Sequence, residues 1–240
     1  IDAAHDTGAS RQRASGPVAT MGSMKPTETL AKATMPDGGS LELRRHDGDY
    51  VIRADGYDLM ISRAHGSEEA MMALACESPT PGMRVLVGGL GMGYTARAAL
   101  DFAPEDAKVV IAELVEAVVD WNREYLGPLA GNPSDDPRTE LVIDDVRRVI
   151  LAGEGQYDAI LLDVDNGPHA PTQRNNSWLY TPGGLNAIKR ALRRGGAVAV
   201  WSVEEHPAFL HSLRAAGFHA SSERVSSHHT RHTVYVGRKR

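Results

Sequence analysis

Arg84-Val85-Leu86-Val87-Gly88-Gly89-Leu90-Gly91-Met92-Gly93-Tyr94 is the stretch that decides how the chain is read. A short apolar segment, Val85 to Val87, runs into a cluster of glycines, and a helix-like segment, Thr95 to Phe102, follows at once. Such a strand–turn–helix unit opens nucleotide-binding α/β domains. Its glycines permit a tight turn and a close approach of ligand to backbone, and the helix start offers unpaired N–H groups. Gly89, Gly91 and Gly93 are spaced G-x-G-x-G, not the G-x-G-x-x-G of dinucleotide enzymes. That spacing, with no second nucleotide half, sets an NAD-dependent dehydrogenase aside.

Downstream of this unit the pattern alternates regularly. Strands are expected at Val109–Ala112, Glu140–Ile143, Tyr157–Leu162 and Gly196–Trp201, and helices at Glu116–Tyr125, Val146–Ala152, Gly184–Arg193 and Pro207–Ala216. Short buried-type strands alternating with helices imply a mostly parallel, doubly wound sheet. The last strands, around His219–Arg224 and Thr233–Val236, are expected to form an antiparallel edge hairpin. Upstream, Ser40–Arg45, Tyr50–Arg53 and Tyr57–Ser62 alternate with turn-forming Asp/Gly sets and predict a small N-terminal β element over residues 39–63. Ser67 is read as the N-cap of a helix with Glu68 and Glu69 in its first turn. Residues 64–240 are assigned to the nucleoside-binding domain. Residues 1–26, rich in small and polar types, are read as a flexible lead, partly foreign to the native chain, with Met21 and Met24 as plausible native starts.

The chain of 240 residues is 42% hydrophobic and 24% charged, with a net charge of −5. That balance gives no general pull toward nucleic acid. A single cysteine, Cys76, excludes an intrachain disulfide and a cysteine-based zinc site. No apolar run approaches the roughly 20 residues of a membrane span, so no membrane partner is expected and a reducing cytoplasm is the default location. His228, His229 and His232 are read as an exposed hairpin loop, not a metal site; no metal is expected.

In a doubly wound sheet, ligands bind at the carboxyl ends of the strands. Successive strand ends carry the glycines, then Glu113, then Asp144 and Asp145, then Asp163. Glu113 lies roughly 20 residues past the turn, where an acid can accept both ribose hydroxyls of a nucleoside. Asp145 is placed to accept the exocyclic amine of adenine; Leu114 beside Glu113, and Asp144 and Val146 beside Asp145, are counted with them as cofactor contacts. Each acid singly has a capping role as its plain alternative. Four in series at one edge argue for a site.

The order of these motifs resembles that of the class I S-adenosylmethionine-dependent methyltransferase superfamily, and within it is most similar to the spermidine synthase (aminopropyltransferase) family. The resemblance rests on Ser67-Glu68-Glu69-Ala70-Met71, on Val85–Gly91 with Glu113 and Ile143-Asp144-Asp145, and on Tyr157-Asp158-Ala159-Ile160-Leu161-Leu162-Asp163-Val164-Asp165-Asn166-Gly167-Pro168, similar to the family's Y-D-x-I-x-x-D-x-x-D-P. It implies a Rossmann-like fold, S-adenosylmethionine or its decarboxylated form as cofactor, a small-molecule acceptor such as an amine, and a homodimer.

Three departures bear on the reaction. Gly91 stands where the family's glycine loop carries an aspartate that holds the amine of the decarboxylated cofactor. Asn166 replaces the second acid of the D-x-x-D pair, with Asp165 beside it. Ser67 stands where a tyrosine of the amine channel is expected. A dicationic diamine needs several buried acceptors, so these losses favour intact S-adenosylmethionine. The expectation is therefore methyl transfer to a small acceptor, with aminopropyl transfer to an amine as in polyamine biosynthesis as the alternative. A catalytically silent nucleoside-binding protein is the alternative of another class. Asp163 is the expected catalytic residue beside the sulfonium, accepting a proton from an attacking amine or orienting it, with Asn166 as its partner. His65, Asp165, His169 and Tyr180 are candidates for the acceptor side.

Overall fold

β-branched runs cut by Asp-Gly turns fold the first part of the chain into an antiparallel sheet. The computed structural model describes residues 26–164, 176–228 and 230–240. Strands β1 (Glu28–Thr34), β2 (Ser40–His46), β3 (Asp49–Ala54) and β4 (Tyr57–Ile61) pair in that order. β1 is an addition to the sequence reading: its Glu-Thr-Leu-Ala-Lys-Ala-Thr carries little strand propensity, and pairing to β2 makes it a strand. Leu41, Leu43, Ile52 and Ala54 point inward and join the core of the larger domain.

Helix α1 (Gly66–Ala75) leads into the seven-stranded sheet, whose order is β10-β11-β9-β8-β5-β6-β7. Its strands are β5 (Arg84–Gly88), β6 (Lys108–Glu113), β7 (Thr139–Ile143), β8 (Tyr157–Leu162), β9 (Leu192–Ser202), β10 (His219–Ser227) and β11 (Thr230–Arg238). β7, β6, β5, β8 and β9 run parallel, while β11 and β10 complete the edge antiparallel. The centre of the sheet is apolar throughout: Val85, Leu86, Val87, Ile160 and Leu161 are fully buried, as strands covered on both faces must be. Helices α2 (Tyr94–Phe102), α3 (Glu116–Trp121), α4 (Val146–Ala152), α5 (Pro182–Ala191) and α6 (Pro207–Ala215) supply the covering layers. Among the described residues no helix is long and apolar enough to cross a membrane.

Two local readings are corrected. The helix expected to reach Tyr125 leaves α geometry after Trp121 and widens into a π turn, Asn122–Leu126, then a 3-10 turn ending at Ala130. The wide turn coincides with Asn122, whose buried side chain donates to the carbonyls of Val118 and Gly91 at 2.9 and 2.8 Å. His232 is not in an exposed loop. It lies on β11, half-buried, because the hairpin turn falls at Ser227–Thr230 and the strand begins two residues before it. His228 occupies the turn with φ 55°. Residues 1–25, 165–175 and 229 lie outside the described residues, and with them Asp165, Asn166, His169 and His229.

Candidate active site

The chain runs outward from β5 through β6 to β7, then returns to place β8 on the other side of β5. The crevice where the order reverses is where open α/β sheets bind ligands. Here the β5–α2 turn meets the end of β8 directly. The backbone N–H of Asp163 donates to the carbonyl of Gly88 at 3.0 Å, and that of Gly89 to the carbonyl of Ala112 at 2.9 Å. Gly89 has φ 89°, and a Cβ on it would lie 2.3 Å from the Asp163 carbonyl oxygen. Only glycine closes this turn so tightly.

Above the turn lies a cavity of about 490 Å³, within the range of small-molecule sites. One wall is the carboxyl edge of the large sheet: Gly89, Gly91, Ala112, Glu113, Leu114, Val115, Asp145, Val146, Asp163 and Val164. The facing wall comes from the small sheet, with Leu41, Ile52, Leu59 and Met60 among its residues and Asp37 and Asp55 at its margin. Glu68, Val118, Asn176 and Trp201 also line it.

Glu113 is 7% exposed. Its Oε2 accepts the Leu90 N–H and its Oε1 the Val115 N–H, each at 2.8 Å. Burial pushes its carboxyl above the usual range, and the backbone N–H groups around it oppose that rise without cancelling it. The backbone N–H groups of Leu114 and Gly91 also act on this carboxylate. Asp163 is half-buried, and its Oδ2 accepts the Thr95 hydroxyl at 2.8 Å. Asp145 caps α4, accepting the Arg147 N–H at 2.8 Å, while still lining the cavity.

Other expected residues are placed elsewhere. Asp144 is not among the lining residues; it bonds the Asp145 N–H and pairs with Arg148. Gly93 stands at the head of α2 against Pro133 and Ala130. His65 stacks on Tyr94 with ring centroids 4.1 Å apart and pairs with Glu69. Tyr180 packs edge-on against Phe209, 5.5 Å between centroids. Trp121 and Met92 are core residues.

Ser67 does not cap α1. His65 holds the N-cap position, and Ser67 is fully buried. Its Oγ donates to Glu68 Oε2 at 2.5 Å, receives Trp201 Nε1–H at 3.0 Å and lies 2.7 Å from His232 Nδ1. Glu68, 3% exposed, faces the cavity from the buried side of α1 shared with Met71, Met72 and Ala75. Sequence reasoning missed Glu68, Trp201 and Met60. The helical spacing 68, 71, 72, 75 marks Glu68 as inward-facing, and Trp201 is the last residue but one of β9, one strand over from Asp163. Met60 has no local signal, since only the docking of the two sheets brings it to Gly91. A Cβ on Gly91 would lie 3.0 Å from Met60 Cε and 3.1 Å from its Sδ.

Of the described lining residues six are acids (Asp37, Asp55, Glu68, Glu113, Asp145 and Asp163) and none is Lys, Arg or His. The described part of the lining is thus acidic.

The strand order defines a Rossmann-like domain of the class I methyltransferase-like fold. The chain belongs to the spermine/spermidine synthase domain family, which matches residues 64–235. The polyamine aminopropyltransferase of Saccharolobus islandicus (strain L.S.2.15 / Lassen #1) is 31% identical over 121 residues, covering 50% of this chain and 38% of that protein. Putrescine N-methyltransferase 1 of Nicotiana tabacum is 35% identical over 121 residues, covering 50% of this chain and 30% of that one. Each match thus spans well under half of the relative's length. The spermidine synthase of Thermotoga maritima superposes with a TM-score of 0.70 at 19% identity, covering 88% of this chain and 73% of that chain. A spermidine synthase in complex with the transition-state analogue AdoDATO matches equally well, with a TM-score of 0.70.

Proposed function

We propose that this protein transfers an aminopropyl group from decarboxylated S-adenosylmethionine to a small amine of the polyamine class. The observation that carries this reading is the charge of the cavity: six acids and no basic side chain among its described residues. A sulfonium and an ammonium both gain from such a lining. The carboxylate of intact S-adenosylmethionine would be desolvated among like charges with no described counter-charge, which is costly. This reverses the order reached from the sequence, which put methyl transfer first because Gly91 lacks the loop acid. The acids that compensate come from α1 and the small sheet, where the motif reading did not look. Relatives named polyamine aminopropyltransferase support the same order.

In this reading Glu113 accepts the ribose hydroxyls, and Leu114, Val115 and Val146 enclose the base beside Asp145. Gly89 and Gly91 bring the backbone close to the sulfonium end. Asp163, held by Thr95, receives the proton of the attacking nitrogen. The nitrogen lone pair forms the N–C bond as the C–S pair returns to sulfur, leaving a neutral thioether. Orientation and exclusion of water supply much of the rate.

Methyl transfer from the intact donor is the second reading, favoured by Met60 filling the place beside Gly91 and by the putrescine N-methyltransferase relatives. Mass spectrometry of products formed from 1,4-diaminobutane with each donor separates the two. An aminopropyl adduct together with methylthioadenosine supports the first reading; a methylated diamine alone overturns it.

A further inference from the structure

We propose that Glu68, held in place by Ser67, Trp201 and His232, is the carboxylate that receives the non-reacting ammonium of a diamine acceptor. The inference rests on the function proposed above and adds the residue that selects the acceptor.

The geometry comes from three elements that meet at one end of the cavity. In the β8–β9 pairing Leu162 is opposite Val200, so Asp163, just past the end of β8, follows beside Trp201, which is still within β9 and pairs with Val234 of β11. Neighbouring strands are about 4.8 Å apart, so the backbone of Trp201 neighbours that of Asp163, whereas Glu113 ends β6 on the far side of β5. Trp201 Nε1–H reaches Ser67, and Ser67 reaches Glu68. Asp163 and Glu68 are therefore two carboxylates at the same end of one cavity, on separate elements, with the glycine turn beside only the first. A diamine has two cationic ends and needs two acceptors. Asp163, at the glycine turn, serves the nitrogen that reacts, and Glu68 serves the other.

The hydrogen bonds around Ser67 Oγ fix the arrangement. A hydroxyl has one proton and two lone pairs. Ser67 gives its proton to Glu68 and accepts from Trp201, so the remaining lone pair takes the Nδ1–H of neutral His232. Burial holds His232 below its ordinary pKa, which keeps that ring neutral, and the Trp201 and His232 rings lie 4.8 Å apart. The other titratable groups near Glu68 are His65 at the N-cap of α1, Glu69 on α1 and Tyr94 on α2, whose hydroxyl is pushed up to about 12 by burial and stays neutral. Burial raises Glu68 itself, and a bound ammonium would restore its charge. An apolar residue would satisfy the core at no desolvation cost.

The test is calorimetric binding of 1,4-diaminobutane and of n-butylamine to protein saturated with methylthioadenosine. The wild type is expected to bind the diamine at least tenfold tighter than the monoamine. Glu68→Gln should erase that difference while leaving the methylthioadenosine affinity within twofold. His232→Leu should weaken diamine binding, and His232→Asn, which keeps an N–H near the Nδ1 position, should restore it in part. This pair carries the test if Glu68→Gln fails to fold. If the wild type prefers the diamine and both Glu68→Gln and His232→Leu keep that preference, the assignment of Glu68 is overturned and the site reading stands. If the wild type binds neither methylthioadenosine nor diamine, both readings fall.

Discussion

The two walls of the cavity were built by different rules. The wall at the carboxyl edge of the large sheet is local: each of Gly89, Glu113, Asp145 and Asp163 sits at the end of its own strand, placed by the alternation of strand and helix. The wall from the small sheet is tertiary. Met60 meets Gly91 across about 30 residues of sequence, and between the two walls Glu68, Trp201 and His232, from α1, β9 and β11, converge on Ser67. In the proposed reading the first wall holds the part of the donor that carries the nucleoside and the second bears on which group is transferred and to what; a motif reading confined to the first wall put methyl transfer first.

The largest effect that would separate the walls is on turnover. Asp163→Asn should lower kcat by at least ~10²-fold, the usual scale of lost proton transfer, while methylthioadenosine binding stays within threefold. Parallel loss of binding would make Asp163 a structural residue. Glu113→Ala should act oppositely. Two hydrogen bonds from ribose hydroxyls to a buried carboxylate are together worth about 3 kcal/mol, so nucleoside affinity should fall roughly 100-fold in a calorimetric titration.

The wall from the small sheet is tested at Gly91. Gly91→Asp introduces the acid absent from this loop, at φ 50°, which aspartate tolerates better than most residues, but against Met60. We expect a loss of about 1–2 kcal/mol from overpacking, read by denaturant unfolding. Adding Met60→Ala should recover part of it; no recovery would mean the two walls are not in contact there.

The smallest effects are in pH dependence, and the two regions differ in sign. Glu113 has a raised folded pKa, so the folded state holds its proton longer than the unfolded one. Its contribution favours folding at low pH and is lost as pH rises from about 4.5 through the folded value. Glu113→Gln should therefore gain stability relative to wild type as pH rises through that window. Asp136, outside the cavity, is held down to about 2 by Arg138. Its contribution is present above the unfolded value near 3.8 and is lost between about pH 4 and 2. With solvent screening it amounts to no more than about 1 kcal/mol, and Asp136→Asn should remove that loss in acid melts.

How far the sequence could be read follows from the same division. The parallel sheet, its edge hairpin and the acids at strand ends were legible because strand periodicity and the glycine turn are local signals. Strand β1 was not, since Glu28–Thr34 becomes a strand only through pairing with Ser40–Arg45. Ser67 carried a capping signature that burial overrode: a serine within reach of Glu68, Trp201 and His232 gains more from those partners than from the helix end. His232 looked like part of a loop because its neighbours are Ser, Thr and His, yet Val234–Val236 behind it anchor the strand in the core.

The central claim is that the cavity's charge chooses the donor. Its most direct measurement is the affinity of the wild-type protein for decarboxylated and intact S-adenosylmethionine, by calorimetry in one buffer at neutral pH. The account predicts at least tenfold tighter binding of the decarboxylated form. Equal affinity, or tighter binding of the intact form, would contradict it.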